Sequence, residues 1–196
     1  MTDPRLERWL AALIETPGLT AIRDPARARR VHLEDSLRAV PLVRRFPGAL
    51  VDVGSGGGAP GIPLAALLPE RAVTLLEANA RRCAFLERWT DEFPNLRVVR
   101  GRAEEQPVEA YGVAVAKALA SPPVAVEWCL PLVAPGGGVI LFVGPTADAA
   151  AVARAAERLG GGSPEEHPGL LVVPKIGPTP PGFPRRPGVA RKRPLV

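Results

Sequence analysis

Residues 49–61 read Ala49-Leu50-Val51-Asp52-Val53-Gly54-Ser55-Gly56-Gly57-Gly58-Ala59-Pro60-Gly61. A short apolar run closed by glycine predicts a strand buried on both faces. The glycines that follow let the backbone turn sharply and approach a ligand closely. Ile62 to Leu68 then predicts a short apolar helix. Strand, glycine-rich turn and helix in this order open a doubly wound α/β sheet, where ligands bind outside the carboxyl ends of the strands.

The pattern repeats toward the C-terminus. Ala72 to Glu77, Leu96 to Val99, Val113 to Ala116, Val139 to Val143 and Leu170 to Val173 predict further strands. Between them, Asn79 to Phe93, Pro123 to Leu132 and Ala147 to Leu159 carry apolar residues at helical spacing. Alternation of this kind predicts a mostly parallel twisted sheet with helices on both faces. Toward the N-terminus, Arg5 to Ile14 predicts an amphipathic helix. Asp24-Pro25 starts a second one that runs to Pro41. The expected organisation is a helical cap over 1–45, a sheet domain over 46–176 and a basic, proline-rich tail over 177–196, extended on the surface, all in one unit.

Composition bounds the function. The chain has 196 residues, 46% hydrophobic and 23% charged, an ordinary globular balance. Its apolar runs are too short to cross a bilayer and its N-terminus lacks a signal-peptide pattern, so the cytoplasm is the expected compartment. Cys83 and Cys129 fall in apolar helical patterns, which predicts buried thiols and neither a disulfide framework nor a metal site. The net charge of +5 is localised. Residues 183–196 hold Arg185, Arg186, Arg191, Lys192, Arg193 and no acid, while the other 20 basic residues balance the 20 acidic ones. Such a run attracts polyanions, so these five are either candidate nucleic-acid contacts outside the site or a solvated arm that aids solubility.

Glu77 ends the second strand, where a carboxylate can accept two hydrogen bonds from a ribose diol. The turn also matches the dinucleotide pattern G-x-G-x-x-G/A. A pyrophosphate, however, needs a helix N-terminus set against the turn, and Pro60 and Pro63 remove donors there. S-adenosylmethionine has no pyrophosphate and tolerates such a turn. After the third strand, Gly101-Arg102-Ala103-Glu104-Glu105 places an acid where an adenine amino group can meet it, with the Ala103–Glu104 backbone at the ring edge. The candidate cofactor residues read from the chain are Gly54, Gly56, Glu77, Ala103 and Glu104.

The run Val51 to Ala65 resembles the signature of the small-subunit ribosomal RNA (guanine-N7) methyltransferases, the glucose-inhibited division protein B family. Gly18-Leu19-Thr20-Ala21-Ile22-Arg23-Asp24-Pro25 and His32-Leu33-Glu34-Asp35-Ser36-Leu37 resemble its N-terminal motifs, and Thr179 to Gly188 its ending. The resemblance implies a Rossmann-like class I methyltransferase fold. It also implies methylation of guanine N7 at family position 527, in the 530 loop of 16S rRNA, and cofactor contacts at Gly54, Ala59, Ala103, Glu104 and Lys117. Two positions depart from it. Lys117-Ala118 stands where the family has arginine and alanine, and Val143-Gly144 where it has lysine and glycine.

Guanine N7 carries a lone pair and no proton at neutral pH, so methyl transfer needs positioning rather than a general base. Lys117 and Arg102 are the positioning candidates. His32 and Asp35 are read as structural, packing the N-terminal helices on the sheet. Trp9, Trp89 and Trp128 are read as core rather than as stacking platforms for bases. The implied partner is 16S rRNA or the small ribosomal subunit, met by a monomer with no membrane and no metal. A small-molecule methyltransferase and a catalytically silent RNA-binding module are the competing readings.

Overall fold

The computed structural model describes residues 3–196. Helix α1 (Pro4–Glu15) starts where Asp3 accepts the Arg5 N–H at 2.9 Å and Pro4 fills the first helical position. It buries Leu6, Trp9, Leu10 and Leu13. Helix α2 (Pro25–Ala28) begins in the same way, with Asp24 accepting the Arg27 N–H at 2.7 Å.

The single helix expected from Asp24 to Pro41 is interrupted. After Ala28 the chain widens into a π-helical stretch, Arg29–Glu34, and tightens again into α3 (Asp35–Leu37). A separate α4 (Val40–Val43) follows, with Pro41 in its first turn. Proline disfavours helical backbone in the residue before it and fits a first turn, so Pro41 starts a helix here rather than ending one.

The sheet strands are β1 (Leu50–Val53), β2 (Val73–Glu77), β3 (Leu96–Arg100), β4 (Tyr111–Lys117), β5 (Val133–Phe142), β6 (Glu165–His167) and β7 (Leu170–Pro174). They lie in the order β3-β2-β1-β4-β5-β7-β6. The first five are mutually parallel, while β7 runs antiparallel to both β5 and β6. The mostly parallel sheet is as expected. The edge hairpin β6–β7 adds a strand, because only three residues of 160–169 pair with β7 and their polar side chains give no strand signal.

Alternate residues of each strand feed two cores. Leu50, Val73, Leu75, Val113, Val115 and Ile140 face the side packed by α1, the π-helical stretch, α5 (Gly61–Leu67) and α6 (Ala80–Glu87). Val51, Val53, Leu76, Ala114, Ala116 and Val139 face α7 (Pro122–Cys129) and α8 (Ala149–Glu157). The period of two produces this division. Cys83 and Cys129 are free thiols in these layers, and burial pushes both upward in pKa.

The proline-rich segment after β7 is not simply extended. It contains α9 (Val189–Lys192), and Ala190 is buried against the second core. Lys175 Nζ, itself buried, donates to Leu159 O at 2.6 Å and Thr179 Oγ1 at 2.9 Å and anchors the start of this segment. Among the described residues no helix is long and apolar enough to cross a membrane.

Candidate active site

Strand order reverses at β1, since β2 and β3 lie to one side of it and β4 and β5 to the other. The connections leaving the carboxyl ends of β1 and β4 therefore part in opposite directions and leave a crevice. Two adjoining cavities occupy it, of about 310 and 250 Å³, with Gly54, Arg82 and Ala118 in the walls of both.

The larger cavity gathers Gly54, Glu77, Arg102, Ala103 and Glu104. Four of the five cofactor candidates read from the chain thus share one wall, as three converging loops require. The smaller cavity takes Gly54, Gly56, Ala59 and Lys117, together with Leu13, Leu19, Val31 and His32 from the N-terminal helices. The two positioning candidates are therefore separated. Arg102 follows β3 at the sheet's edge and belongs to the larger cavity, whereas Lys117 ends β4 and belongs to the smaller one.

The turn is held from three directions. Glu77, only 5% exposed, accepts the Gly56 N–H at 2.9 Å through Oε2 and the Asn79 N–H at 2.8 Å through Oε1. Arg82 Nη1 stands 3.7 Å from the same Oε2. Asp52, 1% exposed, accepts the Gly61 N–H at 2.9 Å and so fixes the start of α5. Burial, reinforced by nearby Glu77, raises the Asp52 pKa to about 7 against the hydrogen bonds and Lys117, which oppose it. From above, Trp9 Nε1 donates to Gly57 O at 2.9 Å. A Cβ on Gly57 would stand 2.3 Å from Leu13 Cδ1, so a side chain there would have to displace the end of Leu13, which shows how closely α1 sits on the turn.

At the end of β4, Lys117 Nζ donates to Asp35 Oδ2 at 2.6 Å and to Val31 O. It also lies 5.1 Å from the Phe142 ring centroid. His32 and Asp35 do not pair with each other: His32 Nε2 is 2.9 Å from Thr20 Oγ1. Burial first, and the Lys117 charge second, push His32 below its ordinary pKa. His32 also borders the smaller cavity. Ala118, between the cavities, has φ +53°, a left-handed conformation that costs a non-glycine residue energy and clusters at functional sites.

Sequence reading missed Asp52, Arg82, Ala118 and Leu119. Asp52 had a signal, a carboxylate inside an otherwise apolar strand. Trp128 belongs to the second core, as read from the chain. Trp128 is 9% exposed, but it lines the larger cavity and its indole N–H has no acceptor among the described residues. Trp9 and Trp89 are buried as expected.

The C-terminal cations also need correction. Arg191 lines the larger cavity rather than lying outside it, and Arg185 is paired with the buried Glu127 at 2.5 Å. Packing of α9 and the residues before it on α7 draws both inward. Arg186, Lys192 and Arg193 remain exposed and make no side-chain ion pair among the described residues.

A family model described as rRNA small subunit methyltransferase G matches residues 4–160. A ribosomal RNA small subunit methyltransferase G of Chloroflexus aggregans is 37% identical over 212 aligned residues, spanning 97% of this chain and 89% of the relative. One of a Synechococcus species is 35% identical over 209, spanning 92% and 79%. A solved SAM-dependent O-methyltransferase of Thermotoga maritima superposes with a TM-score of 0.59 at 13% identity, over 75% of this chain and 66% of that one. That likeness extends to the fold: a class I methyltransferase sheet of Rossmann-like form. With the family model spanning most of its length and relatives of this identity over nearly all of it, the chain belongs to the rRNA small subunit methyltransferase G family.

Proposed function

We propose that this chain, as a cytoplasmic monomer, methylates N7 of a guanine in the 530 loop of 16S rRNA with S-adenosylmethionine as donor. The observation that carries the reading is the placing of Gly54, Glu77 and Glu104 around one cavity at the sheet's switch point.

The residues fit the cofactor. Ligand pockets run about 300–1,000 Å³, and the two adjoining cavities, about 310 and 250 Å³, give room for a nucleoside and an attached arm. Glu77 spends one hydrogen bond per oxygen on backbone N–H groups. A carboxylate has about four lone-pair sites, so acceptors remain for a ribose diol. Glu104 and Ala103 border the same space for an adenine edge, and the Trp128 indole N–H still lacks an acceptor. Gly56, Ala59 and Lys117 border the methionine side.

When bound, S-adenosylmethionine supplies a methyl group on a sulfonium, ready for in-line displacement. The chain's own residues have no proton to remove from N7, so their task is alignment and exclusion of water. Glu77 and Asp52 hold the turn from below, and Trp9 and Leu13 hold it from above. Lys117 is fixed between Asp35 and Val31 O, so its charge enters the smaller cavity at a set position. Arg102 and the exposed Arg186, Lys192 and Arg193 would meet RNA phosphates.

The test is methylation of isolated 30S particles with labelled S-adenosylmethionine, followed by mapping of the modified base. Label at guanine N7 in the 530 loop is the expected result. Absence of incorporation, or label at another atom, overturns the assignment.

A further inference from the structure

Residues 183–196 fold back over the larger cavity through contacts that the charge pattern gave no reason to expect. Arg185 Nε and Nη2 lie 2.5 and 2.6 Å from the two oxygens of Glu127, a carboxylate on α7 that is 2% exposed. Arg185 Nη2 also donates to Arg193 O at 2.9 Å, tying the segment's beginning to its end. Between these points the Gly188 N–H donates to Glu104 Oε1 at 3.1 Å. Arg191 sits with its guanidinium carbon 5.5 Å from the Trp128 ring centroid and Nη2 3.5 Å from Leu119 O. Gly188, Arg191, Glu104, Trp128 and Leu119 all line that cavity.

The energetics give these contacts a direction. A buried ion pair adds little net stability over apolar packing, but breaking it strands a charge away from water, which is strongly unfavourable. Glu127 pairs only with Arg185 among the described residues, so lifting the segment would strand Glu127. The bidentate geometry also fixes orientation, which a single contact would not. The pair therefore holds residues 186–193 in one place, and that place is a wall of the cavity. Glu104 is left with Oε1 engaged by Gly188 N–H and Oε2 without a partner among the described residues, so the segment sets the orientation of the carboxylate that faces the ligand.

We infer that the C-terminal segment is a wall of the nucleoside pocket, latched by the Arg185–Glu127 pair, and that it closes on the adenosine part of the cofactor. The inference rests on the reading that this cavity holds that adenosine. Coupling between two binding events is reciprocal: a segment that tightens the nucleoside is itself tightened by the nucleoside.

The test uses the full chain and S-adenosylhomocysteine, with affinity measured by titration calorimetry. Replacing both partners, E127Q with R185Q, releases the latch without stranding a charge. Affinity is expected to fall about tenfold, a loss of about 1.4 kcal/mol. R191A removes the contacts to Trp128 and Leu119 O from the cavity wall and is expected to weaken binding about threefold, in keeping with an exposed cation–π contact. The second readout needs no variant. Trypsin cleavage after Arg191 and Lys192 in the unaltered chain, followed by mass spectrometry, should slow when S-adenosylhomocysteine saturates it. Binding within twofold in both variants, with cleavage unaffected by a ligand the unaltered chain does bind, overturns the inference. Failure of the unaltered chain to bind S-adenosylhomocysteine at all overturns the cofactor reading and this inference with it.

Discussion

Lys117 Nζ lies 2.6 Å from Asp35 Oδ2, joining the carboxyl end of the central strand β4 to the helices that cover the other side of the crevice. The N-terminal helices are thereby part of the site. The ion pair, the Trp9 hydrogen bond to Gly57 O and the Leu13 contact place them directly on the glycine turn.

The Lys117–Asp35 pair is partly exposed, at 14% and 30% of the side chains. Screening therefore limits its worth, and a double-mutant cycle of K117M and D35N in urea denaturation should give a coupling of about 1 kcal/mol. K117R should keep most of that coupling. A coupling of zero would mean that Lys117 is held by Val31 O and packing alone.

Trp9→Phe keeps an aromatic ring but removes the donor to Gly57 O and part of the buried indole volume. The half-buried carbonyl loses its partner and a small void opens, together costing about 1–3 kcal/mol in unfolding free energy. The turn should also loosen, so that S-adenosylhomocysteine binds more weakly. Full stability with full affinity would show that the Gly57 carbonyl needs no partner.

Glu77→Gln retains an acceptor for one N–H but loses the charge-assisted contacts to Gly56, Asn79 and the ribose. A hydrogen bond to a charged group is worth about 1.5–3 kcal/mol, so cofactor affinity should fall about tenfold to a hundredfold with the fold intact, read by calorimetry and circular dichroism. An unchanged affinity would remove Glu77 from the site.

Asp52 gives a pH signature. Unfolded, it ionises near its ordinary 3.8; folded, burial keeps it protonated up to about 7. Between those values the folded chain binds one more proton, so this residue's contribution to stability falls as pH rises from about 4 to 7 and then levels off. His32, lowered by burial, acts in the opposite sense, because its stability is lost as pH falls. The difference between the unaltered chain and D52N isolates the Asp52 part. In thermal melts the variant should gain on the unaltered chain from pH 5 to pH 8; a constant difference would place the Asp52 pKa in its ordinary range.

Three exposed C-terminal cations are expected to contribute to the salt dependence of RNA binding. Arg186, Lys192 and Arg193 are exposed, whereas Arg185 is paired with Glu127. Each phosphate contact contributes about 0.7 to the slope of log K against log salt for single strands, so neutralising these three should reduce the slope by about 2. An unchanged slope would mean that these three do not meet phosphates.

The sequence by itself determined six of the seven strands, the two-sided burial of β1 and the loops that reach the crevice. These follow from local chemistry: the apolar run Leu50 to Val53, the glycines after it, and the carboxylates ending one strand and following another. It also carried the family, through the run from Val51 to Ala65. The tertiary structure alone decided which groups are already engaged. Asp52 reads as a polar residue in a strand until the start of α5 packs on it. Trp128 reads as core, and only the fold opens the crevice beside it. The five C-terminal cations read as one solvated arm until Arg185 meets Glu127, 58 residues earlier in the chain. Composition records how many charges a segment carries; only packing across distant residues fixes which of them remain free to meet a ligand.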